Sequence, residues 1–231
     1  MSIEHWIHPE WLPHYKHMNG LVKAATGDDY ITIVEAFHAL PVETRDWLIN
    51  TLMQGKVNAL ASSAFVVPVL SETACKFLAD REYDYKENTE NELEEYRIPE
   101  VVLEAEDPEL FITLFKKLSY CLAPWFAMIW SAQPSNVTSI QLAKYNPTRR
   151  DKGTWHIDRD SNFTAVVSLN PDEFTGGGTQ LADGPFGVVE LPPLPKGYAL
   201  IFDGKRTYHQ GLPVTEGDRK LLVIWSEKKV N

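Results

Sequence analysis

"KGTWHIDRDSNFTAVVSLN" (152–170) sets an imidazole and a carboxylate, His156 and Asp158, two residues apart just before an apolar run that reads as a strand. Extended chain repeats every two residues, so both side chains leave the same face. One H-x-D pair arises by chance often, and its meaning depends on what the rest of the chain brings to it. From about residue 137 the periodicity is that of short strands: "VTSIQLAKY", "NFTAVVSLN", "GTQLAD", "GVVEL", "GYALIFDG" and "RKLLVIWSE", broken by Pro, Gly, Asn and Asp. Short strands at this pitch predict an antiparallel sandwich or barrel.

The first half reads differently. "GDDYITIVEAFHAL" (27–40) predicts a helix with an acidic first turn, and "PVETRDWLINTLMQG" (41–55) one with Pro at an N1-like position. "ALASSAFVVPVL" (59–70) predicts a buried strand interrupted at Pro68, and "SETACKFLADREY" (71–83) a helix capped by Ser71. "DPELFITLFKKLSYCLA" (107–123) has Asp107 as cap, Pro108 at N1, an apolar stripe at 110, 111, 114, 115 and 118, and Pro124 as its stop. Helices followed by strands predict an α+β fold, a double-layered β core buttressed by helices. The expected division is a helical extension over 1–59 and a second unit over 60–231. Residues 1–20 carry four of the seven histidines, yet His14 and His17 have no nearby acid or thiol. They predict an irregular arm packed through Trp6 and Trp11 and no metal site.

Composition narrows the function. A hydrophobic content of 44% with 11% aromatics supplies a real core and excludes a disordered chain. A net charge of −10 and a pI near 5.2 exclude a sequence-independent grip on duplex nucleic acid. Residues 80–109 hold thirteen Asp or Glu against three Lys or Arg, so the rest of the chain is close to neutral. That stretch reads either as a solvated loop or as a lid that attracts a basic peptide. Cys75 and Cys121 lie in no metal-binding spacing. No secretory leader pattern opens the chain, and no apolar run reaches membrane-spanning length. The expectation is a cytoplasmic protein with both thiols free and no membrane partner.

His209, 53 residues after His156, completes a set of two imidazoles and one carboxylate. On one face these form the facial triad of non-haem Fe(II) oxygenases, which leaves coordination positions open. Ten residues on, Arg219 opens the last strand, sharing a face with Leu221, Val223 and Trp225. A guanidinium on an inward face calls for an anion, and its planar fork matches a carboxylate. Zinc hydrolysis at the same triad is the chemical rival, but it leaves Arg219 without a role.

"YNPTRRDKGTWHID", "FTAVVSLN", "GGGTQL", "KGYALIFDG" and "YHQGLPVTEGDRKLLVIW" together resemble the Fe(II)/2-oxoglutarate dioxygenases. Within these the likeness is to the prolyl and lysyl hydroxylase group, in particular the catalytic domain of the procollagen-lysine hydroxylases. It is firm over 137–227, weaker over 60–136 and absent from 1–59. The resemblance implies a double-stranded β-helix, or jelly roll, with iron on His156, Asp158 and His209 and the 2-oxoglutarate C5 carboxylate on Arg219. It implies O2 as co-substrate, succinate and CO2 as products, and ascorbate as reductant. Tyr145 falls where the group has a tyrosine facing the co-substrate. Thr164 is expected beside the C5 carboxylate or as an ordinary strand threonine, and Trp225 as cavity wall or core packing. Trp155, between the ligands, is expected to face away. Two departures stand out. The glycosyltransferase domains of the animal lysyl enzymes are not expected here, and Leu221 replaces the hydroxyl residue some relatives carry two positions after the arginine.

The function expected is hydroxylation of a lysyl or prolyl side chain in a protein or peptide. Alternatives are the same chemistry on a free amino acid, small metabolite or nucleobase, and a non-catalytic β-sandwich that binds through its acidic segment. Oligomeric state is open, a dimer included.

Overall fold

The computed structural model describes residues 2–25, 30–87, 97–132 and 134–228. The acidic first turn expected at Asp28 and Asp29, and positions 88–96 of the acidic stretch, lie outside the described residues. Seven helices are described: α1 (Asn19–Ala25), α2 (Tyr30–His38), α3 (Val42–Gly55), α4 (Glu72–Ala79), α5 (Leu103–Glu106), α6 (Pro108–Cys121) and α7 (Ala123–Trp130). The strands are β1 (Ala64–Pro68), β2 (Lys86–Glu87), β3 (Pro99–Val102), β4 (Pro134–Tyr145), β5 (Phe163–Ser168), β6 (Phe174–Gly176), β7 (Thr179–Ala182), β8 (Val188–Leu191), β9 (Tyr198–Phe202), β10 (His209–Gly211), β11 (Val214–Gly217) and β12 (Arg219–Lys228).

The expected caps form. Ser71 Oγ accepts the Ala74 N–H at 3.0 Å, and Asp107 Oδ1 accepts the Leu110 N–H at 3.1 Å with Pro108 opening α6. Pro124 does more than end that helix. It sits in the first turn of α7, where a missing N–H leaves no helical bond unmade, so a further helix follows. Pro41 is the N-cap of α3, one position earlier than its N1-like spacing suggests.

The main sheet is antiparallel, in the order β1-β9-β5-β12-β4-β3-β2. A three-stranded sheet, β10-β7-β8, and the β11-β6 ribbon form a second layer across a cavity. Alternation decides what each face of the main sheet meets. Ile140 and Leu142 on β4, Ala165 and Val167 on β5, and Leu222 and Ile224 on β12 join the helices in one apolar core. The helices bring Leu21, Leu48, Leu78, Leu114, Trp125 and Phe126 to it. Burying each such large side chain stabilises by about 1.5–3 kcal/mol. The intervening residues of the same strands line the cavity. This is an α+β architecture with a jelly-roll core.

Segment 1–59 shares that core. Trp11 is fully buried, donates its indole N–H to Pro68 O at 2.9 Å, and packs edge-on against Trp47 and Trp125. Trp6 packs edge-on against Phe77. The arm is built from single 3₁₀ turns and leads into α1, a helix the sequence reading did not foresee. Cys75 and Cys121 are both buried and free, and burial pushes the Cys75 thiol up to about 12.

Candidate metal centre and co-substrate pocket

His156 and Asp158 lie on an extended segment outside the strands, pinned by backbone bonds on both sides. His156 and His209 exchange N–H···O bonds of 3.0 and 2.9 Å, and the Asp158 N–H donates to Gly204 O at 2.9 Å. The result brings His156 Nε2 to 3.5 Å and His209 Nε2 to 3.8 Å from the same oxygen, Asp158 Oδ1. Among the described residues this is the one cluster of ligand-type side chains close enough to share a metal ion.

Hydrogen bonding fixes how the donors present themselves. His156 Nδ1 lies 2.8 Å from Thr154 O, and His209 Nδ1 2.9 Å from Thr207 O. A carbonyl oxygen only accepts, so each Nδ1 carries the proton and each neutral ring turns a bare Nε2 lone pair to the centre. Asp158 Oδ2 accepts from Thr164 Oγ1 at 2.6 Å, which leaves Oδ1 for the centre. Burial favours the neutral form of His209 and pulls its pKa down, with Asp158 opposing. Burial alone would push the Asp158 carboxyl up. Contacts with His156 and His209 and the Thr164 hydroxyl oppose it and hold the carboxyl below its ordinary value. A bound cation would pull the same way. Two nitrogens and one oxygen, with no sulfur, fit Fe(II).

Arg219 lies in the same cavity and is 5% exposed. Its Nη1 donates to Gly178 O at 2.8 Å, and its guanidinium sits 5.4 Å from the centre of the Tyr145 ring. Among the described residues no carboxylate pairs with it, and burial pulls its pKa down. Tyr145 is its direct cross-strand partner in the β12–β4 register. The "GGG" turn explains itself here. Gly176, Gly177 and Gly178 all have positive φ, and a Cβ on Gly177 would lie 3.2 Å from Arg219 Cδ. Glycine there lets the backbone close on the guanidinium.

The cavity, about 370 Å³, is lined on the main-sheet side by Gln141, Val166, Leu221, Val223 and Trp225, with Trp155, Arg159, Asp160 and Tyr208 toward its mouth. Trp225 is among the lining residues. Thr164 does not sit beside Arg219. Its register partner is Trp225, six residues along β12 from Arg219 and so about 20 Å away, and its hydroxyl serves Asp158. Trp155 also departs from expectation: its ring stacks on Tyr208, 6.0 Å away and 8° from parallel, and lines the cavity. Strand alternation does not bind a residue outside a strand. Gln141 went unnoticed although it shares a strand face with Tyr145 four residues later. Glu100, also in the lining, left no signal because the pairing of β3 with β4 is not written in the local sequence.

No protein-family model matches the chain, and no curated protein does. Solved structures do. An oxidoreductase of the 2OG-Fe(II) oxygenase family from Burkholderia pseudomallei is 13% identical, covering 79% of this chain and 88% of its own, with a TM-score of 0.53. A Trichoplax adhaerens prolyl hydroxylase, in complex with a hypoxia inducible factor peptide fragment, is 15% identical over 78% of this chain and 86% of its own, TM-score 0.52. The non-heme alpha ketoglutarate dependent carbocyclase SnoK from nogalamycin biosynthesis is 16% identical over 82% and 85%, TM-score 0.50. The chain has the fold of the 2OG-Fe(II) oxygenases.

Proposed function

We propose that this chain is an Fe(II)- and 2-oxoglutarate-dependent hydroxylase. One observation carries the reading: the cavity that gathers three metal-type donors also holds a buried guanidinium whose charge no described carboxylate balances. A metal site for hydrolysis gives Arg219 nothing to do, and a binding module needs neither feature. His156, Asp158 and His209 would hold the iron, and Arg219 with Tyr145 would receive a carboxylate of the keto acid. Bound iron and 2-oxoglutarate supply the oxidising chemistry, in which the keto acid becomes succinate and CO2 and one oxygen atom goes to the substrate. Val166, Leu221 and Val223 give the cavity an apolar wall, which would help to exclude water once the co-substrates are bound.

For the substrate, a lysyl or prolyl side chain of a protein or peptide is the reading we favour. A cavity of about 370 Å³ is at the small end for ligand sites, and its mouth carries the exposed side chains of Arg159, Asp160 and Tyr208. That suits one inserted side chain on a chain that stays outside. The likeness to SnoK supports a small-molecule substrate as the second reading. The test is succinate release from purified protein with Fe(II), ascorbate and 2-oxoglutarate, with and without Lys- or Pro-containing peptides. Peptide-stimulated succinate and a product heavier by one oxygen support the first reading. Succinate that no peptide stimulates supports the second, and a protein that neither retains iron nor releases succinate is no oxygenase.

A further inference from the structure

Thr164 has no place in the function proposed above, yet it is fully buried and holds the shortest polar contact of the centre, 2.6 Å from Oγ1 to Asp158 Oδ2. Its surroundings are as enclosed. Ser161 is fully buried and its Oγ lies 3.0 Å from Thr164 Oγ1, while Ser226, 1% exposed, donates its N–H to Ser161 Oγ at 3.2 Å. A carboxylate oxygen only accepts, so Thr164 spends its one proton on Asp158 and must accept from Ser161, which in turn accepts from the Ser226 backbone. The direction of the whole chain follows: Ser226 N–H to Ser161, Ser161 to Thr164, Thr164 to Asp158.

Gly204 closes this chain from behind. Its carbonyl takes the Asp158 N–H, and a Cβ built on it would fall 2.5 Å from Thr164 Oγ1 and 3.0 Å from Asp158 Cβ. Only a hydrogen fits there. The side of Asp158 away from the centre is thus backed by the Gly204 backbone and two hydroxyls.

We infer that Thr164 is a positioning residue: through the Ser226–Ser161–Thr164 chain it occupies Oδ2 of Asp158 and so dictates that Oδ1 alone faces the metal. This rests on the metal site proposed above. Hydrogen bonds that orient a ligating carboxylate commonly matter to affinity by about 10–100-fold.

The test uses Mn(II) as an oxygen-insensitive probe, titrated into the full chain stripped of metal, with 2-oxoglutarate affinity then measured at saturating Mn(II). Thr164→Val keeps the shape and removes the donor; it is expected to weaken Mn(II) binding about 10–100-fold while 2-oxoglutarate affinity holds. Thr164→Ser keeps the hydroxyl and is expected to restore Mn(II) affinity to near wild type. Ser161→Ala leaves Thr164 in place and is expected to weaken Mn(II) less than Thr164→Val; it carries the test should the valine variant fail to fold. Unchanged Mn(II) affinity in Thr164→Val, or in Ser161→Ala in its place, overturns the inference. So does a loss confined to 2-oxoglutarate, which would return Thr164 to the co-substrate. A wild-type protein that binds no Mn(II) overturns the metal site itself, and the inference with it.

Discussion

The two faces of the main sheet are made by the same strands and do opposite work. On β12, Leu222 and Ile224 enter a dry core of helices, while Arg219, Leu221, Val223 and Trp225 face a cavity with a charge in it. Nothing but parity separates the two sets, since neighbouring residues of a strand leave opposite faces. The helical face can therefore fund the cavity face. Apolar burial on one side offsets the cost of keeping Arg219 and Asp158 out of water on the other. A one-residue slip of β12 would bring Arg219 into the apolar core and Leu222 into the cavity, so the ladders to β4 and β5 guard the chemistry as well as the fold.

That contrast can be broken from either side. The largest effect is expected at the centre: His156→Ala and Asp158→Ala should abolish metal retention and succinate release while the metal-free protein still folds. If either variant turns over 2-oxoglutarate normally, the cavity face is not where the chemistry lies. Next is Leu222→Ala, which should cost about 2–5 kcal/mol in a denaturant titration and leave metal affinity per folded molecule untouched. Arg219→Ala should weaken 2-oxoglutarate by about 1.5–3 kcal/mol, the range for a hydrogen bond to a charged group, with little change in metal binding. Wild-type 2-oxoglutarate affinity there would remove Arg219 from the site.

The smallest effect is on pH. Burial holds His209 below the ordinary imidazole pKa, so the unfolded chain takes up its proton first as pH falls. Asp158, held below the ordinary carboxyl value, shifts the balance the same way at lower pH. Both contributions are complete at neutral pH. Stability of the metal-free protein should fall as pH drops below about 6.5, and again below about 3.9, the unperturbed values for the two side chains. A denaturation midpoint that rises on acidification through the first of these would contradict the burial of His209.

The strands and capped helices were legible because each is specified locally, by alternation, by Ser71 or Asp107 at a cap, by Pro at a first turn. That His156, Asp158 and His209 converge, with Arg219 buried in the same cavity, was foreshadowed by residue type and spacing. What stayed hidden depends on pairing across distance. The place of Thr164 stayed open because which residue of β12 lies opposite it is a matter of register, and register puts it beside Trp225. Trp155 was turned the wrong way because its segment is extended yet forms no strand and only one β-bridge, so alternation had no sheet to act on. The short strands β6, β10 and β11 carry too few apolar residues to show a period at all.

That single bridge has a consequence of its own. His156 and His209 hold each other by two reciprocal main-chain bonds, so the spacing of the two rings is written into the folded scaffold before any ion arrives. Loading is then the filling of a finished socket. The amides of both residues should exchange slowly with deuterium in the stripped protein, and swapping one divalent ion for another should proceed without the chain opening.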